Sequence, residues 1–251
     1  MIYGLYLSAT GVLTNSYRQD VIANNLANSE TVGFKKDLAL FTERDSAAQE
    51  KGQSDPDDPL SNLTGGKWAA PTYVDPSEGP LQETGNSTDV AIEGKGYFMV
   101  QTPQGNRLTR DGRFLLDSNG NLVMANDANA KLLDDSGKPF SLDSRQRIQL
   151  SKDGEYSQGG RNVDKIGIYD TDTATLTKQG SNLLAYPDSQ TLSLSKNYTL
   201  HQSFVERSNV EPTTELTQLM DTERQLEVNA NMIKTQDETL SELVSQVAKI
   251  S

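Results

Sequence analysis

The chain has 251 residues, a formal net charge of −12 and no cysteine, and 34% of its residues are hydrophobic. The negative charge argues against nucleic acid and anionic membrane surfaces as partners, because both are bound by clusters of Lys and Arg that this sequence lacks. The absence of cysteine excludes disulfides, thiolate metal sites and cysteine nucleophiles.

The N-terminal segment, residues 1–35, predicts a helix that is weak on its own. Its apolar positions recur in steps of three and four, through Ile2, Leu5, Ala9, Val12, Ser16, Gln19, Ala23 and Leu26. Ser16 and Gln19 weaken the middle of this row, and Gly4 and Gly11 each cost about 1 kcal/mol relative to Ala inside a helix. We therefore expect the helix to form on contact with the C-terminal helix or with another subunit.

The same segment carries no recognisable targeting signal. Residues 2–13 lack the basic flank and the small-residue cleavage site of a secretory signal. They are also shorter than the roughly 20 apolar residues that a membrane span needs. The sequence therefore predicts no membrane insertion, and we expect any export to leave the chain uncleaved.

Residues 36–85 predict an extended connector. The sequence DPDDP at 55–59 is acidic and stiff, and a glycine pair at 65–66 signals a turn. The single tryptophan, Trp68, follows directly, so a short β element is predicted at 67–74.

Residues 86–205 predict a mainly antiparallel β domain. Short apolar runs occur at 90–92, 97–100, 114–116, 122–124, 147–150 and 166–169. Between them lie turn sequences such as PQGN, DSNGN, DDSGK and KDGE. Their Gly, Asn and Asp residues tolerate the backbone conformations of tight hairpin turns. We interpret the region as a β domain inserted between two terminal helices.

Residues 206–251 predict a long C-terminal helix that begins near Pro212. A repeat of 3.5 residues runs through Leu216, Leu219, Glu223, Leu226, Ala230, Ile233, Asp237, Leu240, Val244 and Val247. So long a repeat, apolar except at Glu223 and Asp237, is typical of a coiled-coil seam. We therefore predict an α+β fold whose N- and C-terminal helices pair as a coiled coil. In the alternative, both helices cover the sheet of a globular domain.

The sequence offers little for catalysis. His201, the single histidine, has no nucleophile motif such as G-x-S-x-G near it. Residues 117–121 match a calcium loop poorly, because Leu122 and Ala128 stand where glycine and the bidentate glutamate are needed. The sequence GKG at 94–96 lacks the rest of a phosphate-binding motif. We predict no enzymatic activity, no cofactor and no metal site.

Three blocks of the sequence resemble the flagellar rod and hook family. The first block is DVIANNLAN at 20–28 with TVGFK at 31–35, and the second is TGNSTDVAIEGKGYF at 84–98 with LTRDGRF at 108–114. The third is ERSNVEP at 206–212, which leads into the C-terminal helix. Together the blocks follow one another along the whole chain.

The resemblance implies a structural subunit of the flagellar basal-body rod that packs helically into a tube, with its terminal helices inside. The implied partners are other rod subunits, further copies of itself and the type III export apparatus, and the implied location is the periplasmic rod. The assembly interface is expected at Leu5, Ala9, Val12, Asn24, Asn25, Leu26, Asn28, Gly33, Phe34, Leu216, Leu219, Leu226, Ala230, Ile233, Leu240, Val244 and Val247. The three asparagines fit either a quaternary contact or the capping of a helix end.

Alternatives to this interpretation stay open. A hook protein usually carries a further outer domain for which 251 residues leave no room. The short connector, together with the sequences NVEP at 209–212 and TQDE at 235–238, favours the proximal over the distal rod subunit. Outside the family, the competing hypotheses are a secreted adhesin or effector with a β domain on a coiled-coil stalk, and a periplasmic hydrolase.

Overall fold

The structure is a computed structural model that describes residues 2–43, 66–143, 146, 148–187 and 192–250. It confirms the α+β class, with a helix at each end and mostly antiparallel strands between them. The acidic piece predicted at 55–59 and residue 147 of a predicted strand lie outside the described residues. The chain divides into two units. Unit 1 comprises Met1–Ala27, Asp37–Tyr73 and Glu211–Ser251, and unit 2 comprises Asn28–Lys36 and Val74–Val210.

Unit 1 contains two helices, α1 (Ile2–Ala27) and α2 (Pro212–Ile250), which lie against each other. α2 begins at Pro212, whose missing N–H costs nothing in a first turn, and Glu215 adds a carboxylate where the helix dipole favours one. No helix in the described part of the chain combines the length and the hydrophobicity needed to cross a membrane.

The least exposed side chains of α2 follow the predicted repeat of 3.5 residues, but in a different row. They are Glu215, Leu219, Thr222, Leu226, Asn229, Ile233, Gln236 and Leu240. Every second position thus lies one residue earlier than predicted, and Leu216 and Val244 are 47% and 68% exposed instead of turned inward. Polar side chains occupy half of the inward row.

In α1 the buried side chains also lie about one residue earlier than the predicted row. The glycines of α1 explain the offset in both helices. Its buried side chains are Ser8, Asn15, Val21, Ile22 and Asn25. The predicted positions Ala9 and Ala23 are exposed. Gly4 and Gly11 lie against Gln236 and Asn229 of α2, so the glycines make room for long polar side chains that an apolar pattern does not reveal.

Short strands complete unit 1: β1 (Asp37–Leu38), β2 (Phe41–Glu43), β3 (Lys67–Ala69) and the start of β4 (Tyr73–Val74). β2 and β3 pair antiparallel, with Thr42 opposite Trp68. Tyr17 of α1 meets the Phe41 ring edge-on, with 6.2 Å between the ring centroids. The β element predicted at 67–74 is therefore present as two short strands.

The strands of unit 2 come in chain order after β4. They are β5 (Leu81–Glu83), β6 (Val90–Gly94), β7 (Tyr97–Thr102), β8 (Gly105–Thr109), β9 (Phe114–Leu116), β10 (Leu122–Met124), β11 (Asp127–Leu132), β12 (Ile148–Leu150), β13 (Glu155–Gln158), β14 (Arg161–Lys165), β15 (Ile168–Asp170), β16 (Thr177–Lys178), β17 (Leu183–Ala185), β18 (Ser193–Leu194), β19 (Tyr198–Gln202) and β20 (Phe204–Glu206).

These strands form one large sheet and three smaller ones around an apolar core. The large sheet runs in the order β16-β17-β8-β7-β11-β10-β9, and β15 joins β7 to β18. The smaller sheets are β12-β13-β14, β19-β6 and β20-β5. Phe98 and Phe114 meet edge-on in the core with 5.3 Å between centroids, and Phe140 lies 5.0 Å from Tyr156. All four rings are fully buried, so unit 2 has a dense core of its own.

Candidate assembly interface

The segment that follows α1, residues 28–36, packs within unit 2. It opens with a turn in which the Thr31 N–H donates to the backbone oxygen of Asn28 at 3.1 Å. The Asn182 side chain, in the loop between β16 and β17, donates to the backbone oxygen of Val32 at 2.7 Å. The segment is thereby held against the β domain by a loop 150 residues away in sequence.

Gly33 occupies the tightest point of this segment. Its φ is +70°, a conformation that L side chains rarely adopt. A Cβ at Gly33 would lie 2.3 Å from the backbone nitrogen of Asp111, and the Gly33 N–H donates to the backbone oxygen of Glu206 at 2.8 Å. Only glycine satisfies both the conformation and the approach.

The next residue, Phe34, is an anchor for the segment. It is 6% exposed, and the ammonium group of Lys178 lies 3.7 Å from the centroid of its ring. A cation in this position is attracted by the negative face of the ring. The same ammonium donates to the backbone oxygen of Lys35 at 2.5 Å, so Lys178 holds both residues.

A buried ionic network follows directly. The Lys35 ammonium donates to Glu206 Oε1 at 2.6 Å, and Arg110 Nη1 donates to Glu206 Oε2 at 2.9 Å. The N–H of Gly79 also donates to Glu206 Oε1, at 2.9 Å. None of the three charged side chains is more than 4% exposed. One carboxylate thus joins two cations from distant parts of the chain.

The network carries one more positive than negative charge. Burial lowers the pKa of Lys35, and the neighbouring Arg110 lowers it further, whereas the Glu206 carboxylate opposes both by raising it. Arg110 is held in addition by the backbone oxygens of Ile92 and Gly94, at 3.2 and 2.6 Å, and lies 5.3 Å above the Tyr97 ring. Glu206 is therefore the group whose charge keeps two buried cations stable.

Asn209, which precedes α2, forms hydrogen bonds beside this ionic network. Its Oδ1 accepts the N–H of Lys36 at 2.7 Å, and its Nδ2 donates to the backbone oxygen of Ser77 at 3.0 Å. Lys35 donates to that same backbone oxygen at 2.8 Å. The residues that precede α2 are thereby bonded to those that follow α1.

We call the set Gly33, Lys35, Arg110, Glu206 and Asn209 the junction. The three family-like blocks supply its members: the first contributes Gly33 and Lys35, the second Arg110, and the third Glu206 and Asn209. Sequence reasoning singled out only Gly33 of these five. Little in the sequence indicated the others, because the blocks around Arg110 and Glu206 contain several further charged and polar residues.

The asparagines at the end of α1 differ in their environment. Asn25 is 1% exposed, and its amide exchanges two hydrogen bonds of 2.9 Å with the backbone N–H and oxygen of Asp37. Asn24 is exposed, and Asn28 is half-buried. Within this chain, the Asn25 amide therefore pairs with the backbone of Asp37 as a neighbouring strand would, and it fixes the start of β1. This contact is neither the capping of a helix end nor a contact between subunits.

The remaining predicted interface residues whose side chains are described fall into two groups by exposure. Partly buried are Leu5, Val12, Leu26, Leu219, Leu226, Ile233 and Leu240, and exposed are Ala9, Leu216, Ala230 and Val244. The side chain of Val247 lies outside the described residues. Their part in contacts between subunits stays a prediction.

The helices also expose large apolar side chains that the predicted rows omit. On α1 they are Tyr6 and Leu13, and on α2 they are Met220, Val228, Met232 and Leu243. Each is between 41% and 69% exposed.

The groups considered for chemistry have ordinary structural surroundings. His201 Nε2 lies 2.6 Å from an oxygen of Glu93 on the paired strand β6. Asp117 accepts the N–H groups of Asn119 and Asn121 at 2.7 and 2.8 Å, so the poor match to a calcium loop is a tight turn. The hydrogen bond from the Asn121 side chain lowers the pKa of Asp117.

Three descriptions of one family match along the chain. Residues 5–35 match "Flagella basal body rod protein", residues 91–181 match the D1 domain of "Flagellar hook protein FlgE/F/G", and residues 201–246 match the C-terminal part of "Flagellar basal body rod FlgEFG protein". The first and last matches include most of the two helices, and the middle one lies within the β domain.

Relatives of similar length support the match. The basal-body rod protein FlgF of Caulobacter vibrioides is 34% identical over 98% of both chains. The rod protein FlgG of Buchnera aphidicola (subspecies Schizaphis graminum) is 35% identical over 97% of this chain and 99% of its own, and FlgG of Bacillus subtilis is 31% identical over 98% and 99%.

A helix at each end of the chain, a β domain inserted between them in sequence and the three matches along the chain are those of a structural subunit of the flagellar axial class. Within that class, the chain belongs to the family of flagellar basal-body rod proteins. It is a structural subunit of the rod, a part of the flagellar basal body that serves motility. The adhesin hypothesis finds no support in these relatives.

Proposed function

We propose that this rod subunit polymerises helically through its terminal helices to form the axial drive shaft of the flagellum. The supporting observation is the outer face of α2, away from the inward row, where Leu216, Met220, Val228, Met232 and Val244 are between 47% and 68% exposed. Large exposed apolar patches mark surfaces that bind other proteins. Burying one such side chain contributes about 1.5–3 kcal/mol, so a few suffice for a specific contact.

The proposal includes pairing of α1 and α2 as a coiled coil. It is supported by the 3.5-residue repeat of the least exposed side chains along α2, from Glu215 to Leu240. Half of that row is polar, so the pair gains less from burial than a fully apolar seam. Such a pair favours further contacts that cover its outer faces.

The partners in this proposal are further copies of the chain and the neighbouring rod subunits. Export through the flagellar type III apparatus without cleavage and a place in the periplasmic rod belong to the same proposal, and they rest on the family. Within the rod we propose the proximal position. Relatives named FlgF and FlgG both match, so the short connector is what favours this choice.

The exposed face of α2 provides the test. Met220→Asp combined with Val228→Asp places two charges on that face without touching the inward row. We expect cells with this variant to lose swimming and to lack complete flagella by electron microscopy. The free energy of unfolding of the purified chain should change by less than about 0.5 kcal/mol, because both side chains are exposed.

A matched control separates the loss of apolar surface from the added charge. Asn231→Asp combined with Ser241→Asp adds the same charge at exposed polar positions of α2. This variant should assemble and swim. Normal swimming of the Met220 and Val228 variant would show that the outer face of α2 is not an assembly surface.

A further inference from the structure

At two contacts between α1 and α2, a glycine of α1 faces an amide side chain of α2. Gly4 faces the side chain of Gln236, and Gly11 faces that of Asn229. A step of seven residues forward on α1 corresponds to a step of seven residues back on α2. The two contacts therefore belong to one antiparallel register.

At both places, a residue larger than glycine would meet the end of the facing amide side chain. A Cβ at Gly4 would lie 2.8 Å from Gln236 Nε2, and a Cβ at Gly11 would lie 2.8 Å from Asn229 Nδ2 and 3.2 Å from its Cγ. Real Cβ atoms do not approach neighbours at 2.8 Å, so a larger residue has to displace the amide. Among the described residues, Gln236 Oε1 is buried without a hydrogen-bond partner, so the shape of the groove rather than that oxygen holds the amide.

We propose that the pairs Gly4–Gln236 and Gly11–Asn229 set the register in which α1 and α2 pair. This inference rests on the proposed function of the two helices as the assembly element, and it adds the rule by which α2 selects its partner helix. α2 accepts a helix with glycine at two positions seven residues apart. The apolar residues of the seam stabilise the helix pair, and the two amide side chains determine the register in which it forms.

A shift of the helices shows why two pairs are needed. Sliding α2 by seven residues in one direction brings Asn229 opposite Arg18, and only Gln236 still meets a glycine. Sliding it in the other direction brings Thr222 opposite Gly11, and only Asn229 still meets a glycine. Both amides find a glycine in one register alone.

Chemical cross-linking of the full chain can read the register, because the sequence contains no cysteine of its own. Thr14 of α1 and Gln225 of α2 line the same cavity in unit 1, so the pair Thr14→Cys and Gln225→Cys reports the observed register with a short bis-thiol reagent. Thr14→Cys with Gln218→Cys and Thr14→Cys with Met232→Cys report the two shifted registers. We expect the 14–225 product to exceed either shifted product at least tenfold.

Substitutions at one pair then test the cause. In this reporter, Gly11→Asn should lower the 14–225 product several-fold, and adding Asn229→Gly should restore it. Helix propensity alone predicts that Gly11→Asn raises the amount of the 14–225 product, since Asn is a better helix former than Gly. Ala9→Asn and Asn231→Gly introduce the same two residues at exposed positions and should leave the product unchanged.

The outcomes separate this inference from the proposed function. Equal amounts of the three products in the unsubstituted chain, or no recovery in the Gly11 and Asn229 exchange, would overturn the register rule. If the register rule fails while Met220→Asp with Val228→Asp still abolishes swimming, the helices remain the assembly surface. If swimming persists and the register rule holds, the rule concerns pairing within the chain and the assembly surface lies elsewhere.

Discussion

Unit 1 and unit 2 bury different kinds of side chain. In unit 2, fully buried aromatic and aliphatic residues such as Phe98 and Phe114 form a continuous core, and the buried charges of the junction have partners. In unit 1, every second side chain of the inward row of α2 is polar, and large apolar residues such as Val228 and Val244 face outward. One unit uses its apolar residues for its own core, and the other leaves many of them on the surface.

This contrast indicates that stability is encoded mainly in unit 2 and assembly mainly in unit 1. Apolar burial is the main favourable contribution to folding, so unit 2 should account for most of the stability of the isolated chain. Substitutions in unit 1 should act mainly on contacts with other molecules. The predictions below test this division, beginning with the junction.

Glu206→Gln should have the largest effect on folding. The change leaves Lys35 and Arg110 buried without their carboxylate, and breaking a buried ion pair in this way costs about 3–5 kcal/mol. The free energy of unfolding from denaturant titration measures this loss. Arg207→Ala is the control, because its ion pair with Glu30 lies at the surface and contributes about 0–1 kcal/mol.

The same variant should depend on pH in a defined direction. Burial lowers the pKa of Lys35 in the folded chain below its ordinary 10.5, so the unfolded chain binds more protons in that range. Stability from this group therefore rises with pH as pH climbs through the lowered pKa toward 10.5. Without Glu206 the pKa of Lys35 should fall further, so the destabilisation of the Glu206→Gln variant should shrink between neutral and alkaline pH. A constant difference would contradict this.

Gly33→Ala should rank second, at about 2–5 kcal/mol. Part of the cost is the left-handed conformation, about 1–2 kcal/mol, and part is the overlap of the new Cβ with the Asp111 backbone, about 1–3 kcal/mol. Gly137→Ala is the matched control, since Gly137 has φ +78° but nothing within 4 Å of its Cβ position. Equal losses in the two variants would show that the approach to Asp111 does not matter.

Tyr156→Phe should stabilise unit 2 by about 1 kcal/mol at neutral pH. Among the described residues, the Tyr156 hydroxyl is fully buried and has no hydrogen-bond partner, so its removal deletes a desolvation cost. Burial also raises the pKa of Tyr156, so the unfolded chain loses this proton first, and parent stability falls above about pH 10. The advantage of the variant in denaturant titrations should therefore grow above that pH. An advantage that is the same at pH 7 and above pH 10 would refute the assignment.

The sequence predicts the elements of this fold better than their contacts. The helix at each end and the β domain between them follow from repeats of 3.5 residues, short apolar runs and turn residues, which are local properties. The inward row of α2 does not, because an apolar pattern turns Ala230 inward, whereas Gly11 of α1 admits Asn229 in its place. Which side of a helix is covered depends on the surface of its partner.

The junction illustrates the same limit over a longer distance. Lys35 and Glu206 are 171 residues apart, and nothing in the spacing of either residue indicates the other. Their motif blocks were recognisable as family-like, but the physical role of each charge became visible only when the backbone brought them within 2.6 Å. Gly33 was recognisable as part of a motif, but its need for close approach was not.

The smallest effect should come from Leu216→Ala on the outer face of α2, with a change in the free energy of unfolding within about 0.5 kcal/mol. Leu219 lies three residues after Leu216 and belongs to the inward row. Leu219→Ala should cost about 1–2 kcal/mol, because its partly buried side chain loses apolar contact. Both variants exchange Leu for Ala in the same helix, so differences in helix propensity cancel. If the two losses measured by denaturant titration are equal, α2 has no preferred inner face in the isolated chain, and its 3.5-residue row forms only in the assembled rod.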